Sequence, residues 1–591
     1  MTAGVDTAAA SHAASVPGNP SPDATLSHEQ RGWSGAAIAC EPKIVALRAL
    51  LDMRPPEPVP SVRYVSRGNV LVVAGDDAAA AREAAARLAD RLHVTLVERA
   101  WPQSPLPGVT SWSGRIDSAE GWLGEFNVQV CELQTAAGGA PVRAPTAARF
   151  DLVLDFGATP LFAMRQPPQG YFRAPAIADL LEPMLEELGS AVGEFEKPRY
   201  FHYRENICAH SRSQVTGCNA CIEICSTQAI APDRDHVKVD PHLCMGCGAC
   251  ATVCPSGAMG YQYPRVAERG AQLKHLMAAY RAAGGGGDAC IVFHNGHDAR
   301  ALLAQAAATG QGLAARMLPL EAWHVAAVGL DLLLPAIAFG ASQVVVLAAG
   351  SEDPEYLAAL RQQMAIGESI LAALGYGGTH FAVVEARDAR RLHERCVALE
   401  PAATVAIPAA FHVGNDKRTA IEFAVEHLLR YAPSPVDEIA LPAGSPFGEI
   451  QVNRDKCTMC MACVGACPES ALMDGVDKPL LKFLERNCVQ CGLCEATCPE
   501  DAIALSPRLL LTPAVREARV VNEAQPFHCI RCSKPFGTKQ MVEAMTGRLA
   551  AHSMFTGGAA LRRLQMCADC RVVDMMASKD EMSILKLGAD S

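Results

Sequence analysis

Two stretches of this chain place eight cysteines at spacings that few sequences meet: Cys457-x2-Cys460-x2-Cys463-x3-Cys467-Pro468 and Cys488-x2-Cys491-x2-Cys494-x3-Cys498-Pro499. Thiolates are soft, anionic ligands. Three of them two residues apart can wrap a short loop around one corner of a cuboidal iron–sulfur cluster. The fourth leaves on the next turn, and the proline after it removes a backbone N–H and directs the chain away. Eight unligated thiols at this spacing are a far poorer account of the pattern.

An earlier stretch repeats the theme less regularly. Cys244-x2-Cys247-x2-Cys250-x3-Cys254-Pro255 is a full motif, but its upstream partner reads Cys218-x2-Cys221-x3-Cys225, with Val215 where a cysteine is expected. Cys208, ten residues before Cys218, can supply the missing thiolate. Two rivals stand beside this reading: a three-iron cluster with Cys208 free, and ligation by His202 or His210.

Both stretches resemble the run of bacterial two-cluster ferredoxins, and the pair resembles a polyferredoxin. The resemblance implies crossed ligation, in which the fourth cysteine of each motif serves the other cluster. Cys457, Cys460, Cys463 and Cys498 would then hold one [4Fe–4S] cluster, and Cys467, Cys488, Cys491 and Cys494 a second. Cys208, Cys218, Cys221 and Cys254 would hold a third, and Cys225, Cys244, Cys247 and Cys250 a fourth. It also implies one-electron transfer with no bond chemistry.

Near the carboxyl end, Cys529-x2-Cys532 and Cys567-x2-Cys570 form paired C-x-x-C units. Such pairs suit a tetrahedral four-thiolate site of the zinc-ribbon kind; zinc is expected, and a rubredoxin-like iron would take the same ligands. A helix is expected between the pairs, through Met541, Val542, Met545 and Leu549. Cys40, Cys131, Cys290 and Cys396 are isolated and read as small buried hydrophobes.

These motifs need a scaffold, and 591 residues, half of them hydrophobic, supply several domains. The expected architecture is multidomain α/β plus α+β. Residues 1–35 read as a disordered tail and 36–195 as an α/β domain, followed by a first ferredoxin module over 196–268. A second α/β domain over 285–440, a second module over 445–508 and a metal-binding tail over 509–591 complete it. The first α/β domain shows a buried strand from Asn69, an Ala-rich helix from Ala78 to Leu92, and strands at Val94–Val97, Phe126–Leu133 and Asp151–Phe156. Its turn Gly75-Asp76-Asp77 lacks G-x-G-x-x-G, and two acids there would repel a pyrophosphate. The run Gly284 to Gly287 reads as a turn or linker, since no Lys or Ser/Thr follows as in a phosphate loop. Val325 to Gly350 reads as a buried helix and the strand Val344–Leu347, too interrupted for a membrane span.

The net charge of −11 argues against a nucleic-acid partner. Four [4Fe–4S]2+ clusters with four thiolates each, at −2 apiece, take it to about −19. Such a carrier suits a basic face on a redox partner. Met1 to Pro22 shows no basic and apolar signal pattern, and the clustered cysteines suit a reducing, cytoplasmic setting.

The middle domain resembles the delta subunit of viologen-reducing hydrogenases, through Val328-Gly329-Leu330-Asp331 and Ala338-Phe339-Gly340-Ala341. That family places a further cluster on cysteines there; here the strand ends Leu347-Ala348-Ala349-Gly350 without one. The whole layout resembles the large cytoplasmic iron–sulfur proteins associated with bacterial formate dehydrogenases, which implies such a partner. Two other functions compete: a reductase with its own flavin or substrate pocket, lined by His294, Asn295 and His297, and a scaffold or maturation factor.

Overall fold

The computed structural model describes residues 41–75, 78–175, 178–475, 478–555 and 558–577. The acidic turn at Asp76 and Asp77, Cys40 and the amino-terminal tail lie outside them.

The amino-terminal domain is a seven-stranded mixed sheet. The interior strand Asn69–Val73 pairs in parallel with the central strand His93–Glu98 on one side and Leu152–Asp155 on the other. Asn69–Val73 and Leu152–Asp155 are almost wholly buried, which is why both read as unbroken apolar runs. Val109–Glu120 extends the sheet next to His93–Glu98 although only Ser113 is fully buried, and it carries no apolar period in the sequence. Helices Ala78–Leu88 and Leu181–Ser190 cover one face.

The middle domain is a four-stranded parallel sheet in the order Met317–Ala322, Cys290–Asn295, Gln343–Ala348, Phe381–Glu385. Helices lie on both faces. Leu330–Ala338, Pro354–Ala373 and Lys417–Arg430 pack one side, and Asp298–Ala308 and Ala389–Val397 the other. Cys290 and Cys396 are buried in the second of these cores; Cys131, in the amino-terminal sheet, is half-buried. The helix Val266–Ala282 also belongs to this domain and ends in the glycine run, where Gly284 takes φ +85° and the Gly285 N–H bonds Tyr280 O at 2.9 Å.

One element departs from the expected domain order. Glu41–Leu51 was placed with the amino-terminal domain, yet it packs along Val266–Ala282, with Ala46 in the middle domain's core. Lys43 Nζ donates to Leu313 O and Ala314 O at 3.1 and 3.2 Å. Ala46, fully buried, and the partly buried Leu47 and Leu50 give the helix an apolar face that the middle domain covers.

The two cysteine-rich segments share one plan. Each has an antiparallel ladder at its ends, Phe201–Tyr203 with Met259–Tyr261 and Gly448–Val452 with Ile503–Leu510. Each has a central hairpin, Ile230–Asp233 with His236–Val239 and Leu472–Asp474 with Leu480–Phe483. Each carries two five-residue helices, Ala220–Ile224 and Ala249–Val253, then Ala462–Ala466 and Leu493–Thr497. No helix among the described residues is long and apolar enough to cross a membrane.

Candidate cluster sites

The loops that carry the cysteines are bent by backbone residues in the left-handed region. In Cys244–Cys250 these are Gly246 and Gly248, in Cys488–Cys494 Gln490 and Gly492, and in Cys457–Cys463 Met459 and Met461. Alternating right- and left-handed residues curl a chain so that successive N–H groups face one concavity, an arrangement suited to an anionic centre. At Gly246 no other residue fits: φ is +77°, and an added Cβ would meet the Tyr200 ring at 2.6 Å. Gly246→Ala is therefore expected to cost about 2 kcal/mol or more. Urea unfolding together with iron per chain checks this, the variant unfolding earlier and carrying less iron.

The structure gathers the sixteen predicted cysteines into four sets. The first, Cys225, Cys244, Cys247 and Cys250, lines one hollow. The second is Cys208, Cys218, Cys221 and Cys254, where burial raises the Cys221 thiol and the charges of Cys254, Cys218 and Cys208 add to the rise. The third, Cys467, Cys488, Cys491 and Cys494, lines another hollow, and the fourth, Cys457, Cys460, Cys463 and Cys498, lines a third. Each of the crossing cysteines thus lies with the other motif.

The donor sets fit an iron–sulfur cluster. Burial pushes the Cys244, Cys463 and Cys491 thiols up to about 12, so they need a cationic partner before they ionise at neutral pH. Backbone N–H groups already point at sulfur: Met259 to Cys254 Sγ at 3.4 Å, Ala471 to Cys467 Sγ at 3.2 Å and Ala502 to Cys498 Sγ at 3.3 Å. Cys208 is buried beside Cys254 and Cys221. The histidines weighed against it have other contacts. His210 Nδ1 lies 3.2 Å from Cys218 O, and His202 Nδ1 lies 2.6 Å from Gln262 Nε2.

Both α/β domains clamp the first module. From the amino-terminal domain, Tyr64 Oη and Lys197 Nζ donate to His242 O at 2.6 and 2.7 Å, and Lys197 also reaches Cys244 O at 2.8 Å. Trp122 stacks on the His242 ring at 4.4 Å. From the middle domain, Lys417 is 8 % exposed and donates to Ala251 O, Thr252 O and Cys254 O at 2.9, 2.5 and 3.0 Å. It caps the carbonyl end of Ala249–Val253. No spacing in the sequence singles out Lys417 or Lys197.

The polar residues considered for a reductase pocket make hydrogen bonds within the middle domain. Asn295 Nδ2 donates to Glu352 Oε1 at 2.8 Å, and Asn295 Oδ1 accepts from the N–H groups of His297 and Ala299, at the start of Asp298–Ala308. His294 is buried with Nδ1 2.9 Å from Asn295 O.

In the tail, Cys529, Cys532, Cys567 and Cys570 converge with all their sulfurs within 4.8 Å of one another. The first pair sits on the turn of the hairpin Pro526–His528 with Pro535–Thr538, and the second opens the helix Ala568–Ala577. A ribbon has two hairpin knuckles; among the described residues this site has one, with a helix start as the other half. The helix expected between the pairs is Lys539–Leu549. The tail rests on the fourth set through Thr538 Oγ1, which donates to Thr458 O at 2.8 Å, and through the Arg548–Glu500 ion pair.

Family models match twice, residues 216–258 and 456–503, each as a 4Fe-4S dicluster domain. The two cysteine segments are 4Fe–4S dicluster domains. The first match begins at 216 and so leaves out Cys208. The chain is similar to a 7Fe ferredoxin of Hydrogenibacillus schlegelii, 37% identical over 43 residues, which is 7% of this chain and 55% of the relative. It is 44% identical over 50 residues to indolepyruvate oxidoreductase subunit IorA of Pyrococcus abyssi, 8% of each chain. It is 41% identical over 39 residues to hydrogenase-4 component A of Escherichia coli, 7% of this chain and 19% of that one. The chain thus spans only a small part of the length of its oxidoreductase relatives. The two matches establish iron–sulfur cluster domains within this chain.

Proposed function

We propose that the chain is a non-catalytic electron carrier that holds four [4Fe–4S] clusters, one on each cysteine set, and a structural zinc on Cys529, Cys532, Cys567 and Cys570. The gathering of sixteen thiols into four sets, fifteen of them buried or half-buried and Cys460 exposed, is the observation that carries it. When bound, a cluster supplies one-electron oxidation and reduction. The chain's own residues hold the sulfurs, aim N–H groups at them, exclude water with Ile224, Leu472 and Phe483, and place Lys197 and Lys417 beside the first module.

The partner is a redox enzyme. Its relatives' names include an oxidoreductase and a hydrogenase component, and the layout resembles the proteins associated with formate dehydrogenases, so a dehydrogenase of that kind is the proposed donor or acceptor.

Anaerobically purified protein should contain about 16 iron and 16 sulfide, four of each per cluster, with about one zinc. Cys208→Ala should fall to about 15 iron and show an oxidised three-iron signal by EPR. A native protein already at 15 iron with that signal sinks the role of Cys208. Little iron that reconstitution cannot restore sinks the electron-carrier reading.

A further inference from the structure

The two dicluster domains are separated in sequence by the whole middle domain, yet they touch. Ala209 of the first and Ala466, Val489 and Leu493 of the second form one buried apolar cluster, and Cys218 and Cys491 pack against it from opposite sides. The helix Leu493–Thr497 lies on the strand Val215–Thr216. Gly217, the residue before Cys218, sets how near they come. A Cβ there would meet Leu493 Cγ at 2.6 Å and Ala209 O at 2.7 Å, so the contact is as close as the backbone permits. The charge of Cys218 accordingly reaches Cys491.

Inside each domain the paired short helices make the other two junctions. Ala220–Ile224 packs on Ala249–Val253, which puts Cys221 of the second set near Cys250 of the first. Ala462–Ala466 packs on Leu493–Thr497, which puts Cys463 of the fourth set near Cys494 of the third.

We propose that the four cysteine sets stand in single file, first to fourth as numbered above, so that the two dicluster domains form one continuous electron path whose middle link is the Gly217–Leu493 contact. This rests on the four-cluster reading. Its ends differ. The first set lies under the clamp of the two α/β domains, and the fourth, with the exposed Cys460, lies beside the four-cysteine tail. A passing electron reduces one set as it leaves the one before, and no bond is made or broken.

The test uses EPR on the full chain, anaerobically purified and reduced with dithionite, with iron measured on the same samples. Emptying the second set (Cys218→Ala with Cys221→Ala) should narrow the signals of the second domain, which then keep only the broadening between the third and fourth sets. Emptying the first set (Cys244→Ala with Cys247→Ala) should leave those signals unchanged. Each variant should retain about 12 iron, three clusters of four. Equal effects of the two variants, or no effect of either, overturn the order. Should a variant lose more iron than its own cluster, the native protein decides. Anomalous scattering from its iron should show four centres in a file with the second and third adjacent, and any other nearest pair between domains overturns the proposal. Native protein with little iron fails the four-cluster reading instead, which separates the two failures.

Discussion

Lys417→Met is expected to lower the free energy of unfolding by about 3–5 kcal/mol, since three carbonyls lose a charged donor at once and each unmet group costs about 1–3 kcal/mol. The side chain is buried, so water cannot replace it without opening the contact between the middle domain and the first module. The same ammonium is the only donor drawn to both Thr252 O and Cys254 O among the described hydrogen bonds, and Cys254 belongs to the second set. Removing its charge should also move the reduction potential of that set downward, because nearby positive charge favours the reduced, more negative state. Urea unfolding reads the first effect and an EPR-monitored redox titration the second. A variant of unchanged stability would show that Lys417 is not the tie described here.

Glu485→Ala should be the second costly change, at about 3 kcal/mol. Glu485 is 4 % exposed and starts the turn that leads into Cys488. Arg508 Nε and Arg519 Nη1 both donate to its carboxylate at 2.8 Å. Glu449 accepts from the same two guanidinium groups at 2.9 and 2.7 Å, and Glu438 accepts from Arg508 at 3.0 Å, so both arginines keep a carboxylate partner and the loss stays near the lower end for a broken buried pair. Burial alone would raise the Glu485 carboxyl, but the hydrogen bonds from Arg508 and Arg519 outweigh it and hold it below the usual range. A depressed carboxyl contributes stability above its unfolded pKa, near 4.3, and loses it as the pH falls through the lower folded value. The stability gap between the native protein and Glu485→Gln should therefore be widest near neutrality and close below about pH 4. A gap that does not change with pH would refute the ion-pair account.

The cysteine spacing made most of the cluster sites legible, because ligand geometry leaves little freedom in how far apart the thiolates stand. Cys208 was harder. It lies outside the matched family region, and only its burial against Cys254 and Cys221 brings it to the second set. The buried parallel strands were readable as apolar runs, but Val109–Glu120 was not, since a strand with one fully buried residue needs no apolar period. The helix Glu41–Leu51 was not read from the sequence, and which core it joins depends on a surface more than 200 residues away. Gly217 and Leu493 carry no pattern at all. Their importance lies in a contact between domains, and a single sequence does not encode that at any fixed spacing.

The reach of Lys417 back to Cys254 spans 163 residues of chain. At the usual rate of synthesis, about 5–20 residues per second, the last cysteine of the first module emerges roughly 8–33 s before the lysine that closes over it. During that interval the nascent first module lacks its clamp from the middle domain. The second module follows directly after that domain, so it meets a finished neighbour. On the four-cluster proposal, the first module can be reached by iron and sulfide throughout that interval, before the middle domain closes on it.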